Sequence, residues 1–203
     1  MTVHHHIGDL PGGLDFGSSI AVDTEAMGLN QHRDPLCVVQ LSAGDGDAHV
    51  VQVDRSTYDC PRLKNLLGDV EVTKIFHFAR FDLALLERYL EVEASPVYCT
   101  KIASKLARTY TDRHGLKDLC KELLGVDISK QQQSSDWGAV TLSPAQINYA
   151  ASDVLYLHGL REKLDAMLVR EARQPLAQAA FAFLPVRARL DLAGWPDLDI
   201  FAH

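Results

Sequence analysis

Ser19-Ile-Ala-Val-Asp-Thr-Glu25 decides how the rest of this chain is read. The apolar run Ile20 to Val22 reads as a buried strand, and the acids Asp23 and Glu25 stand at its end. Residues two apart on a strand project to one face, so both carboxylates can converge on a point. Acidic pairs at strand ends are often merely solvated. At the end of a buried strand, however, unpaired charge is costly without a cation, and both readings stand at this point.

Ser19 to Asp23, Leu36 to Leu41 and Ala48 to Val53 form three short strand-like runs, punctuated by Gly28 to Pro35 and by Gly44-Asp-Gly-Asp47. Their close spacing predicts an antiparallel meander. The pattern then changes to alternating helix and strand. A short helix is expected from Pro61 through Leu67, a strand over Thr73 to Phe78, a helix over Phe81 to Leu90, and a short strand over Val97 to Thr100 leading into a helix to Thr109. Leu116 to Leu124 reads as a helix stopped by Gly125. Ser143 is a natural N-cap, with Pro144 at the first helical position and Gln146 three residues after the cap, for a long helix to about Arg170. A last helix is expected over Pro175 to Leu184. These elements fit an α+β or mixed α/β fold around one sheet, with 1–203 as a single domain. Residues 1–18 form an N-terminal extension and 185–203 a C-terminal tail. His4, His5 and His6 lie in the extension. Adjacent residues point in different directions, so a mobile start is expected there rather than a metal site.

Composition narrows the class. The chain has 203 residues, 47% apolar and 23% charged, as expected of a globular protein that buries a core without disulfides or a structural metal. No segment approaches the ~20 apolar residues needed to span a bilayer, and no export signal is evident. Cys37, Cys60, Cys99 and Cys120 form no CxxC pair and read as reduced core thiols. The expected location is the cytoplasm. The net charge of −7 repels phosphate, so nucleic-acid chemistry must rely on cations and local basic patches, or on a substrate with few phosphates.

Two further acidic positions stand out. Asp82 falls in His77-Phe-Ala-Arg-Phe-Asp82, in the first turn of a helix after the fourth strand, where the helix dipole alone explains an acid. Tyr149 and Asp153 lie four residues apart on the long helix, about 40° apart around its axis and on one face. A core Tyr above a surface Asp is the plain alternative.

Together, Asp-x-Glu on the first strand, Asp at a strand-to-helix junction and Tyr-x-x-x-Asp on a late helix resemble the three motifs of DEDD exonucleases. Tyr149 points to the tyrosine subclass; the histidine subclass carries His five residues before the last Asp, where this chain has Asn148. Ile20-Ala-Val-Asp-Thr-Glu25, Leu36-Cys-Val-Val-Gln-Leu41, Ser135-Asp-Trp137 and Tyr149-Ala-Ala-Ser-Asp-Val-Leu-Tyr-Leu157 resemble the ribonuclease D catalytic domain. One departure is Cys99, before Thr100, where ribonuclease D usually has Asp. Another is length, since nothing here corresponds to the helical nucleic-acid-binding domains that follow in ribonuclease D. Lys101-Ile-Ala-Ser-Lys-Leu106, Arg108-Thr-Tyr-Thr-Asp-Arg-His-Gly-Leu-Lys117, Ser129-Lys-Gln-Gln-Gln-Ser-Ser-Asp-Trp137 and the ending Asp199-Ile-Phe-Ala-His203 resemble nano-RNase C over essentially the whole chain.

The resemblance implies a DEDD exonuclease fold, a ribonuclease H-like mixed sheet flanked by helices. It also implies 3′→5′ hydrolysis of dinucleotides, including the linear diguanylate pGpG, and a homo-octameric ring. Two Mg²⁺ or Mn²⁺ ions, typically ~3.5–4 Å apart, would clamp the attacking and leaving oxygens. Asp23 is then the bridging ligand, Glu25 and Asp153 complete the nucleophile-side metal, and Asp82 serves the second ion, directly or through water. Tyr149, with a phenol pKa ordinarily near ~10, suits a neutral donor orienting the attacking water.

For substrate contacts the candidates are Leu29, His77, Arg113, His114, Lys130 and Gln133. Leu29 stands where oligoribonuclease-type enzymes insert a Leu wedge between bases; loop-anchoring packing is the alternative. Lys101, Lys105 and Arg108 are expected on one helical face, as are Arg113, Lys117 and Lys121, forming either a solvated face or a phosphate-binding patch. Basic residues outnumber acidic ones six to two between 101 and 121. The tail residues Phe183, Leu184, Leu190, Leu192, Trp195, Ile200 and Phe201 need burial, against their own domain or another subunit. Two rival functions are a general single-strand RNA or DNA exonuclease and a non-catalytic nucleotide-binding scaffold.

Overall fold

The computed structural model of the protein describes residues 2–129 and 131–202. Its centre is a six-stranded sheet of β1 (Val3–Ile7), β2 (Ser19–Ala26), β3 (Leu36–Ser42), β4 (Ala48–Gln52), β5 (Thr73–Phe76) and β6 (Val97–Cys99). Their spatial order is β1-β4-β3-β2-β5-β6. β2, β3 and β4 make the expected antiparallel meander, and β5 and β6 extend it in parallel. Every residue of β3 is buried, because it is central and covered on both faces.

The start of the chain differs from expectation. Val3–Ile7 is not a mobile segment but an edge strand pairing parallel with β4, His4 opposite His49. Its pattern was obscured because both faces of a short edge strand are partly wet, so no apolar alternation marks it.

The helices are α1 (Pro61–Gly68), α2 (Ala79–Leu85), α3 (Thr100–Ala107), α4 (Leu116–Leu119), α5 (Pro144–Leu155), α6 (Leu157–Arg170) and α7 (Gln174–Leu192). Both α2 and α4 continue as one wider π turn, over Leu86–Leu90 and Cys120–Leu124. Gly125 then ends the second of these with a positive φ of 72°, which glycine adopts without a Cβ penalty. The Ser143 cap forms as expected: Gln146 N donates to Ser143 Oγ, and Ser143 N donates to Gln146 Oε1.

The expected helix from Ser143 to Arg170 is two helices, broken at Tyr156, whose φ of −105° and ψ of −5° depart from the ideal helical pair. No Pro or Gly marks the break. It lets α5 pack on β2, β3 and β4 while α6 turns to α3, a tertiary demand with no local signal. Conversely, α7 runs through Pro185 instead of stopping before it. The buried Asp191 accepts from Arg80 Nε at 2.5 Å and from Arg187, and α7 lies along α2. This anchorage offsets the ~3 kcal/mol a helix-interior proline costs. The tail therefore folds back on its own domain, with the Pro196 carbonyl accepting from Arg80. Trp195, Leu198, Ile200 and Phe201 nevertheless remain exposed.

The four cysteines are free and buried. No helix among the described residues is long and apolar enough to cross a membrane.

Candidate active site

β5 ends at Phe76, while β2 runs on through Asp23 and Glu25 to Ala26. Past Ala21, β2 is thus unpaired on its β5 side. Its pairing with β3 also shifts register between Glu25 and Ala26. A cleft opens at this overhang, and α2 and α5 fill its flanks. Asp23 and Glu25 share a strand face, and α5 brings Asp153 to them; carboxylate oxygens of all three lie within 4.8 Å of one another.

Asp82 enters from the first turn of α2. It lines the same cleft but stands outside that tight trio. Its carboxylate is buried and accepts a hydrogen bond from Thr24 Oγ1 at 2.6 Å. The middle residue of Asp-Thr-Glu thus has a role that the motif alone did not reveal. A polar β-branched residue between two acids on a buried strand was the only available signal.

The electrostatics of the cluster fit a cation site. Burial, then the charges of Asp82, Asp153 and Glu25, hold the Asp23 carboxyl well above its usual range. Burial and the charges of Asp153 and Asp82 raise Glu25 to about 9, and burial raises Asp82 to about 7. Like charges crowded in a buried cleft must hold protons or share cations. The donor set is all carboxylate oxygen, which fits hard divalent ions such as Mg²⁺ or Mn²⁺.

Tyr149 stays a neutral phenol. Burial, the Asp153 and Glu25 charges and a hydrogen bond with Asp153 all push its pKa up. Trp137, buried and 6.0 Å from Tyr149 between ring centroids, backs the phenol ring. Trp137 was part of a recognised motif, but its packing role depends on a contact twelve residues along the chain.

The substrate candidates separate in space. Leu29, His77 and Gln133 line the cleft together with Lys101 and Lys117. Leu29 is 88% exposed, so it anchors no loop. His77 Nδ1 is 2.9 Å from Thr100 Oγ1. Arg113 is exposed and His114 pairs through Nδ1 with Ser104 Oγ at 2.8 Å; neither is among the cleft's lining residues. Lys130 lies outside the described residues.

The two expected basic faces do not form as such. α3 ends at Ala107, and Arg108 caps it with φ −112° and ψ 61°, off the helical period. Its guanidinium is fully buried and pairs with Glu122, Ser104 Oγ and the Arg113 carbonyl. Arg113 precedes α4, so it shares no helical face with Lys117, which pairs with Asp127 at 3.1 Å.

A mixed sheet whose strand end carries clustered carboxylates, completed by a Tyr and an Asp from one helix, is an arrangement that can hold hard divalent cations at an open cleft. Residues 12–169 match a family model described as 3′-5′ exonuclease. Among solved structures, NrnC (nano-RNase C) of Brucella melitensis with bound Mg²⁺ is 55% identical, with a TM-score of 0.96 and full coverage of both chains. The same protein bound to pGG is 56% identical, with a TM-score of 0.97 over 100% of this chain and 99% of that one. Ribonuclease D of Acidiphilium cryptum is 37% identical over 154 residues, which is 76% of this chain but only 39% of that protein. The chain belongs to the nano-RNase C branch of the 3′-5′ exonuclease family.

Proposed function

We propose that this chain is a 3′→5′ exoribonuclease that hydrolyses very short RNA, chiefly dinucleotides such as pGpG, to 5′-mononucleotides. The observation that carries this reading is the convergence of Asp23, Glu25 and Asp153 within 4.8 Å, in the same cleft as exposed Leu29. Mg²⁺ in one NrnC structure and pGG in another support it by likeness.

Asp23, Glu25, Asp153 and Asp82 would hold two divalent cations, which when bound neutralise charge developing on the attacking and leaving oxygens. Tyr149, kept neutral, orients the attacking water. Attack at the terminal phosphorus breaks its bond to the leaving 3′ oxygen and leaves the phosphate on the released nucleotide's 5′ side. Leu29 would wedge against the terminal bases, with His77 and Gln133 beside it. Arg113, His114 and Lys130 are the candidates for the substrate's far end.

A dinucleotide offers one or two phosphates, which suits an acidic protein better than long RNA does. In the same reading, residues 1–203 act as one domain in the cytoplasm. Exposed Trp195, Leu198, Ile200 and Phe201 then meet neighbouring subunits in a homo-octameric ring.

The test is a series of 5′-labelled RNAs from two to about ten nucleotides, with kcat/KM compared under Mg²⁺ and Mn²⁺. The dinucleotide should be cleaved best, with a shallow salt dependence. A steady gain in kcat/KM with length would instead point to a general exonuclease of the ribonuclease D kind. Absence of any metal-dependent cleavage would leave only the scaffold.

A further inference from the structure

The histidines of the first strand do not stand alone. β1 and β4 are parallel with His4 opposite His49, so these two side chains emerge on one face of the sheet, and His6, two residues beyond His4, joins them. The ring centroids of His4 and His49 are 4.8 Å apart and those of His6 and His49 5.3 Å, with nearly parallel planes. His6 Nε2 and His49 Nδ1 lie 3.0 Å apart. Phe16 closes one side, its ring edge-on to His49 at 5.2 Å. Asp47 closes another: its Oδ2 is 3.7 Å from His4 Nε2, and its Oδ1 accepts from Thr2 N. His5 alternates to the opposite face and is exposed.

We propose that His4, His6 and His49, with the Asp47 carboxylate, form a binding site for a borderline divalent transition metal such as Zn²⁺ or Ni²⁺, separate from the carboxylate cleft. Imidazole nitrogen suits these ions, whereas Mg²⁺ and Mn²⁺ prefer the all-oxygen cleft, which excess Mg²⁺ fills. Tetrahedral Zn²⁺ with Zn–N bonds of about 2.0–2.1 Å sets ligand nitrogens roughly 3.3 Å apart. His6 Nε2 and His49 Nδ1 face each other across a 3.0 Å hydrogen bond, so both rings must turn slightly to aim these nitrogens at one ion. His4 and Asp47 are 42% and 39% exposed and free to rotate, and in the proposed site both would have to swing in to complete the shell.

Burial, then neighbouring imidazoles, holds His6 and His49 below the ordinary histidine pKa, leaving neutral ring nitrogens ready to ligate near neutrality. Metal binding breaks the His6–His49 hydrogen bond, and the proton on the donating nitrogen moves to the other nitrogen of the same ring, so both rings stay neutral. The ion also gains from the nearby acids of the β3–β4 turn, Asp45 and Asp47. β1 is an edge strand that pairs with β4. An ion across His4, His6 and His49 pins the first strand to the sheet, so its binding energy appears as stability.

The test uses the full chain, stripped with EDTA and then held in excess Mg²⁺. It is titrated with Zn²⁺ by calorimetry and with Co²⁺ by visible absorption, and its thermal midpoint is read with and without Zn²⁺. The parent, Asp153→Asn and His5→Ala should each bind a single Zn²⁺ per chain, show tetrahedral Co²⁺ bands and gain thermal stability. His49→Ala should weaken Zn²⁺ binding at least ~10-fold, the scale commanded even by the partners of metal ligands, and lose the thermal gain. His6→Asn, on the edge strand, repeats the test should His49→Ala fail to fold. The proposal is overturned if the Mg²⁺-saturated parent binds no Zn²⁺, or if His49→Ala and His6→Asn bind it as tightly as the parent. It is also overturned if His5→Ala loses as much as they do, because the three consecutive histidines would then be acting as a flexible chelate.

Discussion

Thr24→Val tests the cleft at a residue that touches neither substrate nor cation in the proposed arrangement. Thr24 Oγ1 donates to Asp82 Oδ1 at 2.6 Å, and the two residues are 6% and 3% exposed. Valine keeps the β-branched shape and removes the donor. A hydrogen bond to a charged group contributes about 1.5–3 kcal/mol, which is roughly 10- to 150-fold in an equilibrium constant. The bond favours the ionised carboxylate, and it opposes the burial that raises Asp82 to about 7. Without it the pKa rises further, and near neutral pH a cation must displace a proton from Asp82 more often.

The Mg²⁺ concentration at half-maximal rate should therefore rise at least ~10-fold near neutrality, while the rate at saturating Mg²⁺ stays close to the parent's. Raising the pH should recover much of the loss, and Thr24→Ser should recover it at any pH. The assay is cleavage of a labelled dinucleotide over a Mg²⁺ series at two pH values, with circular dichroism to check the fold. An unchanged half-saturation in Thr24→Val would refute the role assigned to this hydrogen bond. So would a loss that no Mg²⁺ concentration restores.

Asp153→Asn and Asp23→Ala should abolish turnover with the circular dichroism spectrum intact. Tyr149→Phe should lower kcat about tenfold, the scale of one lost positioning hydrogen bond, with KM little changed; a shift confined to KM would count against its role. Leu29→Ala should lower kcat/KM for the dinucleotide about tenfold or more, the worth of one buried leucine side chain. Because Leu29 is 88% exposed, thermal stability should not move.

The metal-free protein should also show a pH signature. Glu25 is raised from 4.5 to about 9 and Asp82 from 3.8 to about 7, so the folded state keeps protons that the unfolded chain releases. Stability then falls as pH rises across that window. In EDTA the thermal midpoint of the parent should drop with pH more steeply than that of Glu25→Gln, and Mg²⁺ should erase the difference. Equal slopes in EDTA would contradict the reading.

Much of the site was legible because its signals are local. Asp23 and Glu25 share a face by strand geometry, Tyr149 and Asp153 by helix geometry, and the Ser143–Gln146 cap announces the helix that carries the latter pair. Signals that depended on continued periodicity failed. Arg108 looked like the third member of a basic helical face, but α3 ends one residue earlier and the side chain turns inward to Glu122. Pro185 looked like a terminus, but the ion pairs of Asp191 with Arg80 and Arg187 hold the helix through it. His4 and His6 looked mobile because their partners His49 and Asp47 come from a strand and turn more than forty residues away.

The sequence by itself determined the meander and the facing of Asp23 with Glu25 and of Tyr149 with Asp153, because strand and helix periods put residues on shared faces whatever surrounds them. Only the tertiary structure decided that β2 overhangs β5 to open the cleft, that Thr24 holds Asp82, and that Leu29 stands free in it. These depend on where separate elements stop relative to one another. Stopping points are set by packing partners distant in sequence, and no local residue pattern encodes them.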